Sequence, residues 1–366
     1  MHKNFKVDKM LLIDILILCC FGLLYVYSAS NVSGSYRYGD EFYFFKRQLL
    51  FLVVGLIIMY FMTKIDLEKM KKYTSLIFYI VLALLIIVLI PGIGLVRGGA
   101  RSWIGIGIFS IQPAEFMKVG LILLLSKYLS TYYEELKKFK NFLWILILVC
   151  LVFGIILLQP DFGTGLVIVI SSFFLLFASG VPIKYFLILG LVGAMGLVFL
   201  IISEPYRMER ILAFLDPWSD PLGSGFQGIQ SLFALSPSGI FGLGFNKSMQ
   251  KHFFLPEPQN DFIFAIIAEE LGLFGSVFLI LAYLFILIKA IRISSRIDDP
   301  YKSFLALGLG ISIFTQVFIN ISVVIGILPI TGITLPIISY GGSSLIITLM
   351  SLGLLLNISK YQERKK

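Results

Sequence analysis

Charge is scarce in this sequence. Asp, Glu, Lys and Arg make up 14% of its 366 residues against 58% hydrophobic residues, and mean hydropathy is +0.95. A soluble domain of this length needs far more polar surface, so that class is excluded and no segment reads as a separate soluble domain. Cysteine is far scarcer, at three residues. Cys19, Cys20 and Cys150 all fall in apolar stretches, a distribution that holds neither a disulfide framework nor metal-ligand spacing. No Walker loop and no strand-borne glycine fingerprint for a dinucleotide is present, which removes nucleotide-driven pumps and the usual soluble nucleotide-sugar enzymes. Internal repeats are not evident.

What the chain does have is repeated apolar runs of membrane-spanning length. Ten spans are expected, at about 10–28, 46–63, 74–90, 113–130, 142–158, 164–179, 184–202, 261–289, 303–328 and 338–358. The fold class is therefore an all-α polytopic integral membrane protein, a single transmembrane domain over 1–366. The termini and every second connection hold 20 of the 30 basic residues, which places both termini in the cytoplasm. The loops at 29–45, 91–112, 203–260 and 329–337 then face outward. Anionic lipid at the inner leaflet accounts for the net charge of +9 without nucleic acid. The N-terminal stretch mimics a secretory signal, with Ser28-Ala29-Ser30 where cleavage would fall. Nine further spans favour an uncleaved first helix.

Polar residues concentrate outside. The inner loops are short and basic, whereas 203–260 is a large outer loop between spans seven and eight, rich in Gly, Pro, Ser and aromatics. Loops that long inside a compact protein are usually functional or disordered. Apolar residues such as Phe214, Trp218 and Phe226 favour short helices lying on the membrane face over disorder.

Within this frame four motifs carry chemistry. In "LPEPQNDFIFAIIAEELG" Asp261, Glu269 and Glu270 stand at the head of an apolar run, where a charge at the bilayer centre costs about 2.5–3.5 kcal/mol. Asn260 can cap the helix that follows, which leaves Asp261 at the outer water boundary. A helical continuation puts Glu269 about 12 Å deeper and roughly 80° round, able to share a cavity with Asp261, and Glu270 on the opposite face. Against this stand a plain stabilising acid near a helix N-terminus for Asp261 and a buried pairing with a base for the two glutamates. "GGARSWIGIGIFSIQPAEFMKVG" offers Arg101 in a glycine-rich outer loop and Glu115 with Lys118 one helical turn apart, a pair able to neutralise itself. In "LLQPDFGTG" Asp161 can cap span six. "ITLPIISYGGSSL" forms an uncharged turn before the last span, explained by close packing as well as by ligand contact. Arg101, Arg207, Arg210, Lys247 and Lys251 on the outer side suit a diphosphate, and a carboxylate suits proton abstraction from a hydroxyl. Unaided chemistry stops at an outer-leaflet site for an anionic, lipid-linked substrate, with enzyme and transporter both open.

These motifs, with "RILAFLDPWSDPLGSGFQGIQSLFAL" and "GLGFNKSMQKHFFLPEPQNDFIFAIIAEELG", run through essentially every span. The chain resembles the SEDS family (shape, elongation, division and sporulation), which includes RodA, FtsW and SpoVE, and its "DPWSDPLGSGFQ" and "TGITLPIISYGGSS" are closer to the FtsW/SpoVE branch. The resemblance implies a multi-pass protein of the bacterial cytoplasmic membrane that polymerises lipid II into glycan at the outer face. It implies Asp261 as catalytic base, Arg101, Lys251, Gln250, Glu269 and Arg210 as substrate contacts, and Glu115, Lys118 and Asp161 as positioning residues. No cofactor is certain. A divalent cation, Mg or Mn, is a candidate beside the leaving diphosphate. The implied partners are lipid II, the undecaprenyl-diphosphate-linked glycan, a class B penicillin-binding protein and other divisome or elongasome membrane proteins. A lipid II flippase is the alternative activity, and a scaffold without catalysis a third.

Overall fold

The computed structural model describes residues 7–97, 99–106 and 109–362. Helices occupy all ten expected spans: α1 Lys9–Tyr38, α2 Tyr43–Met62, α3 Leu67–Ile87, α4 Pro113–Tyr132, α5 Phe139–Leu157, α6 Phe162–Ala178, α7 Ile183–Ile202, then α10 Ile263–Ser294, α11 Pro300–Val324 and α12 Gly342–Ile358. Two short helices, α8 Pro205–Leu215 and α9 Phe226–Leu235, lie within 203–260. Among the described residues seven helices are long and apolar enough to cross a membrane. With α6 shorter but apolar, this is a multi-pass membrane architecture.

The helix ends follow local chemistry. The Asp8 carboxylate accepts from the Met10 and Leu11 N–H groups at 3.0 and 3.1 Å, and Asp66 and Asp299 cap α3 and α11 in the same way. Each satisfies donors that a helix start leaves open. Pro113 and Pro300 sit in first turns, where a missing N–H costs nothing.

Burial sorts the helices into layers. The apolar windows of α11 and α12 are 67% and 78% buried, those of α2, α3 and α5 only 28%. The first two form the centre, and the others turn Leu49, Val53, Tyr79 and Leu151 outward. The helices approach closely through small residues. A Cβ on Gly353 of α12 would stand 2.6 Å from the Met59 carbonyl oxygen of α2. At one end of the bundle Asp8 meets both Lys289 of α10 (2.7 Å) and Ser359, whose Oγ accepts the Asp8 N–H at 3.0 Å. Both ends of the described chain thus lie at the end opposite Asp261.

Two expectations need correction. The fold is not purely helical: residues 91–112 form a three-stranded antiparallel meander, β1 Leu95–Arg97, β2 Ala100–Ile106 and β3 Phe109–Ile111. β2 and β3 pair with Ile104 opposite Ile111, so the glycine-rich stretch satisfies its backbone as a sheet that leads directly into α4. Gly98, Gly107 and Ile108 lie outside the described residues. The eighth span is also not one continuous helix. Gly272 breaks α10 with φ 65° and ψ −154°. The groups freed by the break are taken up by the 203–260 loop: the Leu243 and Gly244 N–H groups donate to the Glu269 and Glu270 carbonyls, both at 2.9 Å. In return Leu273 and Phe274 donate to Gly239 and Ile240 at 3.0 Å. Irregular backbone inside a membrane protein requires such protein partners.

Candidate active site: a charged cavity around Asp261

Asp261 lies in the turn just before α10, not in its first turn. Phe262 occupies the N-cap position without a side-chain hydrogen bond, and the Asn260 amide donates instead to Glu257 Oε2 at 2.7 Å. Asn260 is therefore not the cap that the sequence led us to expect. The turn is held from three sides. The Asn320 amide of α11 donates to the Asp261 carbonyl at 2.7 Å and to the Ile333 carbonyl at 2.6 Å. Ser339 Oγ donates to the Asn260 carbonyl at 2.6 Å, and the Tyr340 N–H to the Gln259 carbonyl at 2.8 Å. The uncharged stretch before α12 thus serves as a clamp on the backbone of the acidic turn.

With its backbone pinned, the Asp261 carboxylate stays open. It accepts no hydrogen bond from another described residue, is half-buried, and lines a cavity of about 600 Å³. Burial, together with the charges of Glu257 and Asp161, pushes its carboxyl up to about 6, against the pull of Arg210. A carboxylate with that value accepts a proton readily near neutral pH.

The cavity gathers Glu115, Lys118, Asp161, Arg210 and Asp261 from distant parts of the sequence, and adds Arg47, Arg97, Trp103 and Gln316. Glu115 and Lys118 form the expected pair at 2.8 Å, both buried, and Lys118 also donates to Gln316 Oε1. Gln316 in turn donates to the Thr334 carbonyl at 2.9 Å. Asp161 caps α6 by accepting the Thr164 N–H at 3.1 Å and takes a second bond from Gln112 at 2.6 Å. Burial pushes its carboxyl up as well, opposed by those hydrogen bonds. Arg47 lies over the Tyr43 ring at 4.1 Å and Arg97 over Trp103 at 5.1 Å, so aromatic faces set two guanidinium groups on the cavity wall. Sequence reasoning missed Arg47, Arg97, Gln316 and Asn320. The last two stand one helical turn apart in an apolar helix, a signal that was readable.

Four residues expected at the substrate are placed elsewhere. Lys251, only 2% exposed, donates to the Asn246 carbonyl at 2.8 Å and lies 3.7 Å from Glu270. Glu270 accepts from Ser28 Oγ at 2.7 Å and from the Asn246 and Ser248 N–H groups at 2.9 and 3.2 Å. Glu269 accepts from Ser248 Oγ and from the Met249 and Gln250 N–H groups at 2.9 and 3.4 Å. The two glutamates, with Lys251 and the backbone of Gln250, latch loop 246–251 onto α10. The helical reading failed for Glu269 because Asp261 precedes the helix instead of belonging to it. Arg101, on β2, is half-buried with Nη1 3.4 Å from the Leu89 carbonyl. The side chain of Arg207 lies outside the described residues. No three or more His, Cys, Asp or Glu side chains among the described residues gather as a metal cage.

A family model described as cell cycle protein, for FtsW, RodA and SpoVE, matches residues 9–364. The chain is 49% identical to stage V sporulation protein E of Bacillus subtilis (strain 168) over 360 residues, 98% of each chain. It is 41% identical to a probable peptidoglycan glycosyltransferase FtsW of Geobacter sp. (strain M18), covering 96% of each. Among solved structures, a chain from a peptidoglycan synthase complex, solved to show how polymerization and crosslinking are coordinated, is 30% identical. It superposes with a TM-score of 0.77, covering 98% of this chain and 99% of that one. Rod shape determining protein RodA of Thermus thermophilus is 26% identical with a TM-score of 0.71, covering 98% of both.

Proposed function

The chain belongs to the FtsW, RodA and SpoVE family, and from that premise we propose that it is a peptidoglycan glycosyltransferase that polymerises lipid II at the outer face of the cytoplasmic membrane. The observation that carries the reading is Asp261: a carboxylate left open in a charged cavity by a rigidly held backbone. As general base it takes the proton of the acceptor GlcNAc 4-hydroxyl. That oxygen attacks C1 of the MurNAc at the lipid-linked end of the growing strand, and the C1–oxygen bond to the diphosphate breaks. Arg47, Arg97 and Arg210 supply positive charge where the diphosphate departs. Glu115 and Lys118, neutral as a pair, hold the inner wall of the cavity.

In this reading ten spans with both termini in the cytoplasm put the cavity on the outer side. The basic residues of alternate connections support that orientation, and the meeting of both ends of the described chain at the far end of the bundle fits termini on one side. Polymerisation is favoured over a flippase because the open carboxylate lies in a cavity at the mouth of α10, whereas a transporter needs a site near the midplane reachable from both sides. The partner in this reading is a class B penicillin-binding protein, which cross-links the new strands.

The test is polymerisation of lipid II by purified protein together with its transpeptidase. Glycan should form with the native chain and not with Asp261→Asn, while both proteins melt alike. Glycan from the variant, or movement of lipid II across vesicles without any polymer, would remove the assignment.

A further inference from the structure

At the end of the bundle opposite Asp261 lysines occur under two conditions. Lys289 is paired with Asp8 at 2.7 Å, and Lys302 with Glu68 and Asp299 at 2.6 and 2.7 Å. Lys64 and Lys360 form no ion pair with an acid among the described residues. Lys64, just past α2, donates to the Tyr60 hydroxyl and lies over that ring at 4.1 Å. Lys360, just past α12, donates to the Thr63 carbonyl at the end of α2. The two amines are close enough for the charge of Lys64 to act on Lys360. Asn357 ties the same helix ends together, its amide donating to the Met62 and Ile65 carbonyls at 2.9 and 2.8 Å. The backbone beneath the two cations is therefore fixed. Like charges held together repel, and an anion between them removes the repulsion.

The face of α2 that leads to Lys64 indicates which anion. Leu50, Val53, Val54, Ile57, Tyr60 and Phe61 are all exposed, and their spacing of three and four residues puts them on one stripe that ends at Lys64. From Leu50 to Lys64 the stripe runs about 21 Å, more than the roughly 15 Å of one leaflet's hydrocarbon. An inorganic anion makes no use of such a track, and an anion that carries a hydrocarbon chain does. We propose that Lys64 and Lys360 bind the phosphate of an anionic phospholipid, one acyl chain of which lies along the exposed face of α2. Basic sites between the ends of membrane helices suit such headgroups, and Tyr60 supplies the amphipathic ring common at headgroup depth. A zwitterionic phospholipid brings its own cation to the pair and is disfavoured. None of these residues lines the Asp261 cavity, so the site stands whether or not the glycosyl-transfer reading does.

The experiment follows the melting temperature of delipidated full-length protein in a neutral detergent. The protein is titrated with dioleoylphosphatidylglycerol, dioleoylphosphatidylcholine, glycerophosphoglycerol (the same headgroup without acyl chains) or inorganic phosphate. Phosphatidylglycerol should raise the melting temperature saturably, and the other three should leave it unchanged at equal concentration. Lys64→Gln together with Lys360→Gln should raise the half-saturating concentration by about tenfold or more. Lys64→Gln alone, at an exposed position, keeps the fold and should raise it about fivefold. Arginine at both positions should preserve binding, and so should Lys72→Gln, which removes an exposed lysine of α3. Each variant is also melted in phosphatidylcholine, which separates loss of the Lys360–Thr63 bond from loss of binding. Equal stabilisation by phosphatidylcholine would mark ordinary annular lipid. A response to phosphate or to the chainless headgroup would mark a free-anion site, and an equal loss in Lys72→Gln would mark diffuse charge. Each of these results overturns the proposal, as does an unchanged titration of the double glutamine variant.

Discussion

Asp261 and the pair Glu269–Glu270 stand within ten residues of one another at the N-terminal end of α10, under opposite conditions. For Asp261 the backbone is occupied and the carboxylate is open: its carbonyl is held by Asn320 while its side chain faces a cavity. For the glutamates both are occupied. Their carboxylates take up the N–H groups of 246, 248, 249 and 250, and their carbonyls take those of 243 and 244. A buried carboxylate whose acceptor sites are filled holds structure together. One that is left unfilled by a rigid surround is available for chemistry.

Substitutions should separate the two regions. The largest effect is expected from Asp261→Asn, which removes a general base worth about 10²–10⁴-fold in rate and should leave the melting temperature in detergent unchanged. Glu270→Ala should do the reverse. It leaves the buried Lys251 amine without its counter-charge, a loss of about 3–5 kcal/mol readable as a lower melting temperature, with activity falling only as folded protein falls. If Glu270→Ala instead kept full stability and lost turnover, the division between the regions would be wrong. Next comes Gly272→Ala. A Cβ there, at φ 65°, would lie 2.5–2.6 Å from the backbone of Ile240 and Gly242, so the variant should lose about 1–3 kcal/mol and admit faster proteolysis of loop 239–251.

The pH dependence comes after these. Asp261 acts as a base only when ionised, and its carboxyl stands at about 6. The polymerisation rate should be level above that pH and fall about tenfold per pH unit below it. A profile flat down to pH 4.5 would move the proton acceptor elsewhere. The smallest effect is expected from Lys46→Met at the exposed Lys46–Asp40 pair (2.7 Å), where solvent screening leaves no measurable change in melting temperature.

Much of the site was readable before any coordinates. The cap at Asp161 and the Glu115–Lys118 pair are local arrangements, fixed by spacing along one helix turn. Asp261 stood out because acid at the mouth of an apolar span needs a reason. Lys251 and Gln250 were assigned to substrate because a motif gives the order of residues and not the direction of their side chains. Arg47 and Arg97 give no signal in sequence because each is one basic residue among several, and only the rings of Tyr43 and Trp103 set them on the cavity wall.

The amino-acid order by itself determined the apolar helices, the caps at Asp8, Asp66, Asp161 and Asp299, and the end of the bundle at which polar residues collect. Those properties depend on hydropathy and on neighbours three or four positions apart. Tertiary structure alone decided that loop 239–251 would repair the break at Gly272 and that segments hundreds of residues apart would share one charged cavity. Such features arise where chain segments meet in space, and a side chain's partners there are set by packing that no local spacing records.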